Sequence, residues 1–115
     1  MALYRRAAKR DDCEKAIVER LRQLGAQVVR LSGVGVGDAL VAWRGISRLV
    51  EFKTGKGKLT PAQSDFHAKW QGEPIPILRD ADDASTWLLS LMPAVSREAK
   101  VFNRHHHTMS ELEDS

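Results

Sequence analysis

The residue types best suited to chemistry lie between Gly35 and Gln63, in the stretch GVGDALVAWRGISRLVEFKTGKGKLTPAQ. Asp38 and Glu51 sit in two apolar runs joined through Arg44-Gly45, and Lys53 follows Glu51 by two residues. If the runs are strands of a hairpin symmetric about the Arg44–Gly45 bond, Asp38 lies directly opposite Glu51. Their Cβ atoms would then be about 4.5–5.5 Å apart on one sheet face. Lys53 shares that face, because side chains alternate along a strand. Facing carboxylates repel unless something positive lies between them. A divalent cation is the usual remedy, and hard oxygen ligands suit Mg²⁺ or Mn²⁺. Such an ion can hold a phosphate, stabilise the charge that builds on it and make bound water more acidic. A lysine alongside can orient or help deprotonate that water, or neutralise a pentavalent phosphate. The same spacing also arises with no chemistry at all: Asp38 opening a strand, Glu51 facing solvent, Lys53 in a salt bridge. A one-residue slip would send the two acids to opposite faces.

The elements that must position these groups can be read along the chain. From Asp11 the apolar residues Ile17, Val18, Leu21 and Leu24 recur at helical spacing, and Gly25 closes that helix. AQVVRL (Ala26 to Leu31) reads as a first strand, SGVGVG as a glycine loop, and DALVAW and SRLVEFK as two more strands. The hairpin's other face collects Val41, Trp43, Ile46, Val50 and Phe52, an expected core. Thr60 and Pro61 mark a second helix at its N-cap and first position, ending by Gly72. PIPILR (Pro74 to Arg79) reads as a fourth strand at an edge, given its prolines. Asp80 or a neighbour caps a third helix with Ala84, Trp87, Leu88 and Leu91 on one face. The predicted order is α-β-β-β-α-β-α. A helix between the third and fourth strands permits a parallel crossover, so the fold class is α/β with a small mixed sheet.

The chain's 115 residues make one small domain, 43% hydrophobic and 29% charged, which argues against wholesale disorder or a coiled coil. Residues 1–9 read as a basic arm and 10–92 as the domain. After Pro93 apolar periodicity is lost, so 93–115 reads as a loose polar tail. No apolar run approaches the roughly 20 residues that span a bilayer. The basic N-terminus lacks a following hydrophobic segment, so no signal peptide is expected, and cytoplasm is the default compartment. The lone Cys13 allows no internal disulfide and no cysteine metal cluster. Lys and Arg total 18 against 15 Asp and Glu, a net charge of +3. Arg5, Arg6, Lys9 and Arg10 cluster before the first helix, and Lys53, Lys56 and Lys58 around one loop.

Two helix residues bear on the strand acids. Glu14 shares the core-facing stripe with Ile17 and Leu21, so it is either buried at cost or aimed at a site. Asp11 with Glu14 also has capping-box spacing, a purely local role. Gln63 has the same double reading: Thr60-x-x-Gln63 is a capping-box pattern, yet Gln63 shares a stripe with Phe66 and Trp70, expected to dock near Lys53. Taken together, four polar groups converge on one cleft.

With these residues in place, Glu14-x-x-Ile17, SGVGVGDALVAWRG, LVEFK and LTPAQSDFHAKWQG together resemble the small stand-alone virus-type replication-repair nuclease domains, a branch of the PD-(D/E)xK nucleases. The resemblance runs from about Arg10 to Met92. It implies a restriction-endonuclease-like core and a metal-dependent phosphodiesterase acting on DNA. It further implies that Asp38, Glu51 and the main-chain carbonyl of Phe52 ligate Mg²⁺ or Mn²⁺, with Lys53 catalytic, Glu14 completing the site and Gln63 orienting it. Members of the branch are typically homodimers from phages and bacteria associated with cleavage of branched DNA, such as Holliday junctions. A two-fold pair would supply the two sites needed to cut two strands. One departure is Gly37, where the family usually has proline; this loosens the placement of Asp38.

The loop from Thr54 to Lys58 fits such a partner. Lys56 and Lys58, with Arg10, would neutralise phosphates in a sequence-independent, salt-sensitive contact; a solubilising loop is the plain alternative. Other signals carry less. Gly33, Gly35 and Gly37 resemble part of a dinucleotide loop, but no helix follows, and no organic cofactor is implied. His67 reads as a packing or surface histidine, Cys13 as a small filler near the helix start, and His105–His107 as an incidental metal grip. Trp43, Trp70 and Trp87 fall on apolar faces, suited to core or dimer contact. Two other function classes stay open: a non-cleaving DNA-binding module, and a structural or partner-binding protein whose acids are surface decoration.

Overall fold

The computed structural model describes residues 2–33, 35–95 and 97, with side chains from Asp12 onward. Its elements are α1 (Ala2–Gln23), β1 (Gln27–Arg30), β2 (Ala39–Trp43), β3 (Ile46–Phe52), α2 (Pro61–Lys69), β4 (Ile77–Leu78) and α3 (Ala81–Leu89). The four strands form one mixed sheet in the order β1-β2-β3-β4. The first three are antiparallel neighbours, and β3 pairs in parallel with β4 across the α2 crossover. Among the described residues no helix is long and apolar enough to cross a membrane.

The first helix begins at Ala2 rather than near Asp11. Residues 2–12 hold alanine, leucine, arginine and lysine with no glycine or proline to stop a helix, so helix propensity extends it backwards. Arg5, Arg6, Lys9 and Arg10 therefore belong to α1 rather than to an arm before it; the Arg10 side chain lies outside the described residues. Asp11 lies inside the helix rather than at the N-cap position that a capping box requires, and its side chain lies outside the described residues. At the other end Gly25 has φ +95°, donates to the Arg22 carbonyl, and is followed by Ala26 donating to Leu21. That pair of bonds is a Schellman stop, and it needs the left-handed residue that glycine supplies.

The hairpin turns through Arg44 and Gly45, both at positive φ (51° and 88°), the twist that suits a two-residue loop. Its register is the symmetric one, from Trp43↔Ile46 to Ala39↔Val50. Strand alternation then sorts the residues. Ala39, Val41, Trp43, Ile46, Val50 and Phe52 are buried with Ile17 and Leu21 of α1 and Ala84 and Leu88 of α3. Each fully buried large side chain there contributes about 1.5–3 kcal/mol. The core reaches Val95, past the expected Pro93 boundary; the rest of the expected tail, with His105–His107, lies outside the described residues.

The opposite face carries Glu51 and Lys53, and α2 lies over it. None of the α2 residues is fully buried. Trp70, expected on an apolar face, is the C-cap of α2 and 40% exposed, stacked on Phe66 at 5.5 Å between ring centroids. With only nine residues and a proline start, the helix ends before Trp70 can turn beneath it. The fourth strand is just two residues long, because Pro74 and Pro76 cannot donate to a ladder.

Candidate active site

β3 is the backbone of the site. The Glu51 amide donates to the Pro76 carbonyl and the Lys53 amide to the Leu78 carbonyl, so both are held on the β4 side. The Phe52 amide points the other way, toward β2. There it donates to the carboxylate of Asp38 at 2.7 Å instead of to a main-chain carbonyl. The cause lies one residue earlier. Gly37 turns aside at φ +99°, so β2 has no further carbonyl to offer. Asp38 itself donates its amide to Val50, one residue short of Glu51. The acids are therefore not directly opposite: the regular ladder stops at Ala39↔Val50, and Asp38 folds its carboxylate onto the neighbouring strand.

They remain close enough to sense each other. Burial pushes the Glu51 carboxyl above its ordinary value and the charge of Asp38 adds to the rise, while His67 and Lys53 oppose it. Glu51 is 1% exposed, and neither of its carboxylate oxygens has a hydrogen-bond partner among the described residues. A buried ionised group costs several kcal/mol unless it is compensated, so this carboxylate needs a proton, a cation or a charged side chain beside it. Lys53 is half-buried; its stem lies beside Gly57, whose missing Cβ would stand 3.7 Å from it.

His67, a packing or surface histidine by its sequence context, is packed, and it lies beside Glu51. Its Nε2 lies 3.5 Å from Oε2 of Glu51, and its side chain is 15% exposed. The signal in the sequence was positional: His67 follows Gln63 by one helical turn, so it shares the stripe that faces β3.

The other candidates are engaged elsewhere. Glu14 is buried but accepts from Arg30, whose guanidinium also lies 5.7 Å over the Phe52 ring. That is the helix side of the sheet, across from Glu51, because Phe52 and Glu51 are successive residues of a strand. Gln63 forms the capping box with Thr60: its side chain accepts the Thr60 amide at 2.9 Å, and its amide donates to the Thr60 hydroxyl at 3.2 Å. Of the four groups expected in one cleft, Asp38 and Glu51 stay together, with Lys53 beside them, whereas Glu14 and Gln63 are engaged in structural pairings. Cys13 lies within α1 rather than at its start, half-buried, and its thiol donates to the Arg79 carbonyl at 2.8 Å.

Lys56 and Lys58 are exposed on a loop that is pinned rather than free. Arg79 donates through Nη1 to the carbonyls of Gly55 (2.6 Å) and Gly57 (2.9 Å). A cavity of about 570 Å³ on the α2 side of the sheet is lined by Leu40, Leu49 and Trp70 and does not include the acids. Among the described residues no three His, Cys, Asp or Glu side chains are grouped as a ready metal cage. The Asp38 carboxylate lies near Glu51, and the Phe52 carbonyl points to the same side of β3 as the amide that Asp38 accepts. Carboxylate and carbonyl oxygens of this kind suit a small hard cation. No model of a known protein family matches the chain, and no curated protein does.

Proposed function

We propose that the protein is a metal-dependent endodeoxyribonuclease with a PD-(D/E)xK core of the virus-type replication-repair branch. The observation that carries the reading is Glu51: a carboxylate buried to 1% exposure, with no hydrogen-bond partner on either oxygen, beside Asp38 and Lys53. Its one approach to His67, at 3.5 Å, is longer than a good charge-assisted hydrogen bond, whereas buried polar groups are nearly always satisfied. Asp38, Glu51 and the Phe52 carbonyl would hold Mg²⁺ or Mn²⁺. The ion, when bound, supplies charge for the scissile phosphate and acidity for the attacking water. The chain's own groups do the rest. Asp38 and Glu51 are carried on the β2–β3 hairpin, and the Lys53 ammonium would orient that water or offset phosphate charge. Lys56 and Lys58, with Arg10, would bind flanking phosphates, and the Arg79 clamp holds the loop that carries the two lysines. Action on branched DNA as a homodimer is the substrate and assembly this reading favours.

A second reading has its own observation. Asp38 is spent on the Phe52 amide, Glu14 on Arg30 and Gln63 on a helix cap, as they would be in a non-cleaving DNA-binding module. Incubation of the protein with labelled DNA and Mn²⁺, Mg²⁺ or EDTA separates the two. Cutting that EDTA abolishes supports the nuclease, whereas binding that ignores metal and leaves DNA intact supports the module.

A further inference from the structure

His67 stands outside the acid–lysine pattern, yet its imidazole lies against Glu51. Its Nε2 is 3.5 Å from Oε2 of Glu51, too far for a good charge-assisted hydrogen bond, which closes to about 2.7–2.9 Å. Three buried polar atoms, both Glu51 oxygens and His67 Nε2, lack hydrogen-bond partners among the described residues. The separation does suit two atoms bound to one ion. With metal–ligand bonds of about 2.0–2.2 Å, ligands at a tetrahedral angle lie about 3.4 Å apart, and at a right angle about 3.0 Å. The helix that brings His67 here is anchored by features that have nothing to do with His67. The Thr60–Gln63 capping box sets its first turn. Gly35, at φ +77°, leaves room where a Cβ would come within 3.2 Å of the Ala62 carbonyl oxygen.

We propose that His67 is a metal ligand through Nε2, sharing with Glu51 the divalent cation of the site. This rests on the reading that Glu51 holds a cation. The resulting nitrogen–oxygen donor set favours transition ions of the Mn²⁺ to Zn²⁺ series over Mg²⁺, which prefers oxygen ligands alone.

The test uses the full chain, freed of metal and titrated with Mn²⁺ or Mg²⁺. Bound Mn²⁺ is read by pulsed EPR, which detects the nitrogen of a directly coordinated imidazole. The sequence has four histidines, so replacing His105, His106 and His107 with alanine leaves His67 alone. The expected result is an imidazole signal in that triple variant, absent when His67→Asn is added. His67→Asn and His67→Ala should each weaken Mn²⁺ binding at least about tenfold and Mg²⁺ binding far less. Bound Mn²⁺ with no imidazole signal in the triple variant overturns the proposal, and so does a wild-type protein that binds no Mn²⁺. Because the triple variant keeps His67, the outcome does not depend on His67 variants folding. Glu51→Gln tells the two levels apart. If it abolishes Mn²⁺ binding while His67 variants bind normally, the histidine proposal fails and the Glu51 site survives. If Glu51→Gln also binds normally, both fail.

Discussion

The carboxylate of Asp38 accepts the main-chain amide of Phe52 at 2.7 Å, where the β2–β3 ladder runs out. The residue expected to hold a cation thus also closes a strand end, and two substitutions separate these roles. Asp38→Ala strands the Phe52 amide and should cost about 1–3 kcal/mol of stability, offset in part by relief of Glu51. Asp38→Asn keeps an acceptor and should lose less. Both should lose the stabilisation that Mn²⁺ confers. Urea unfolding with and without Mn²⁺ measures each effect.

Glu51 sets the pH dependence of the metal-free protein. Its carboxyl is held above its ordinary value by burial and by Asp38. Between the ordinary and the raised value, the folded chain keeps a proton that the unfolded chain has lost. Stability therefore falls as pH rises through that window, and the loss persists at neutral pH. Glu51→Gln should flatten this dependence and raise the metal-free melting temperature at pH 7. Saturating Mn²⁺ should stabilise wild type and leave the variant unchanged. Thermal melts across pH 4–8 check all three points.

Gly37 occupies the position where the resembled family has proline, and here its φ is +99°. Proline is fixed near −65° and cannot adopt that angle. Gly37→Pro should therefore destabilise by more than about 1 kcal/mol and disturb the Asp38–Phe52 bond. Amide hydrogen exchange at Phe52, faster in the variant, reports that local loss.

Lys56 and Lys58 predict a salt signature. Replacing both with alanine should weaken DNA binding equally across sequences. It should also reduce the slope of log K against log salt by about 0.9 for each phosphate no longer neutralised. Arg79→Gln, which releases the Gly55 and Gly57 carbonyls, should weaken binding without reducing the slope by as much, since the lysines remain. Fluorescence anisotropy at several salt concentrations distinguishes the two effects.

The element order and the hairpin register were legible because local signals agreed. Arg44-Gly45 suited a tight turn, apolar residues alternated on both strands, and Thr60-Pro61 opened a helix where turn chemistry demanded one. The start of α1 was not legible, because a helix of favourable residues such as Ala7, Ala8 and Lys9 needs no apolar stripe to continue. The site was half legible. Glu51 and Lys53 share a face by alternation alone, whereas Asp38 depended on how Gly37 bends, which spacing cannot reveal. Glu14 and Gln63 showed two roles each, and only the fold puts Arg30 beside one and the Thr60 amide beside the other. His67 read only as a packing or surface histidine because its partner Glu51 is distant in sequence and reached only through the crossover.

The most direct test of a metal-dependent nuclease is cleavage of labelled four-way junction, flap, duplex and single-stranded DNA, with Mg²⁺, Mn²⁺ or EDTA. Wild type and Lys53→Ala are compared, with folding of each verified by circular dichroism. Metal-dependent cutting is expected, strongest on branched DNA, and lost in Lys53→Ala although that variant still binds DNA and Mn²⁺. Folded, Mn²⁺-loaded wild type that cuts none of the four substrates would contradict the proposed activity.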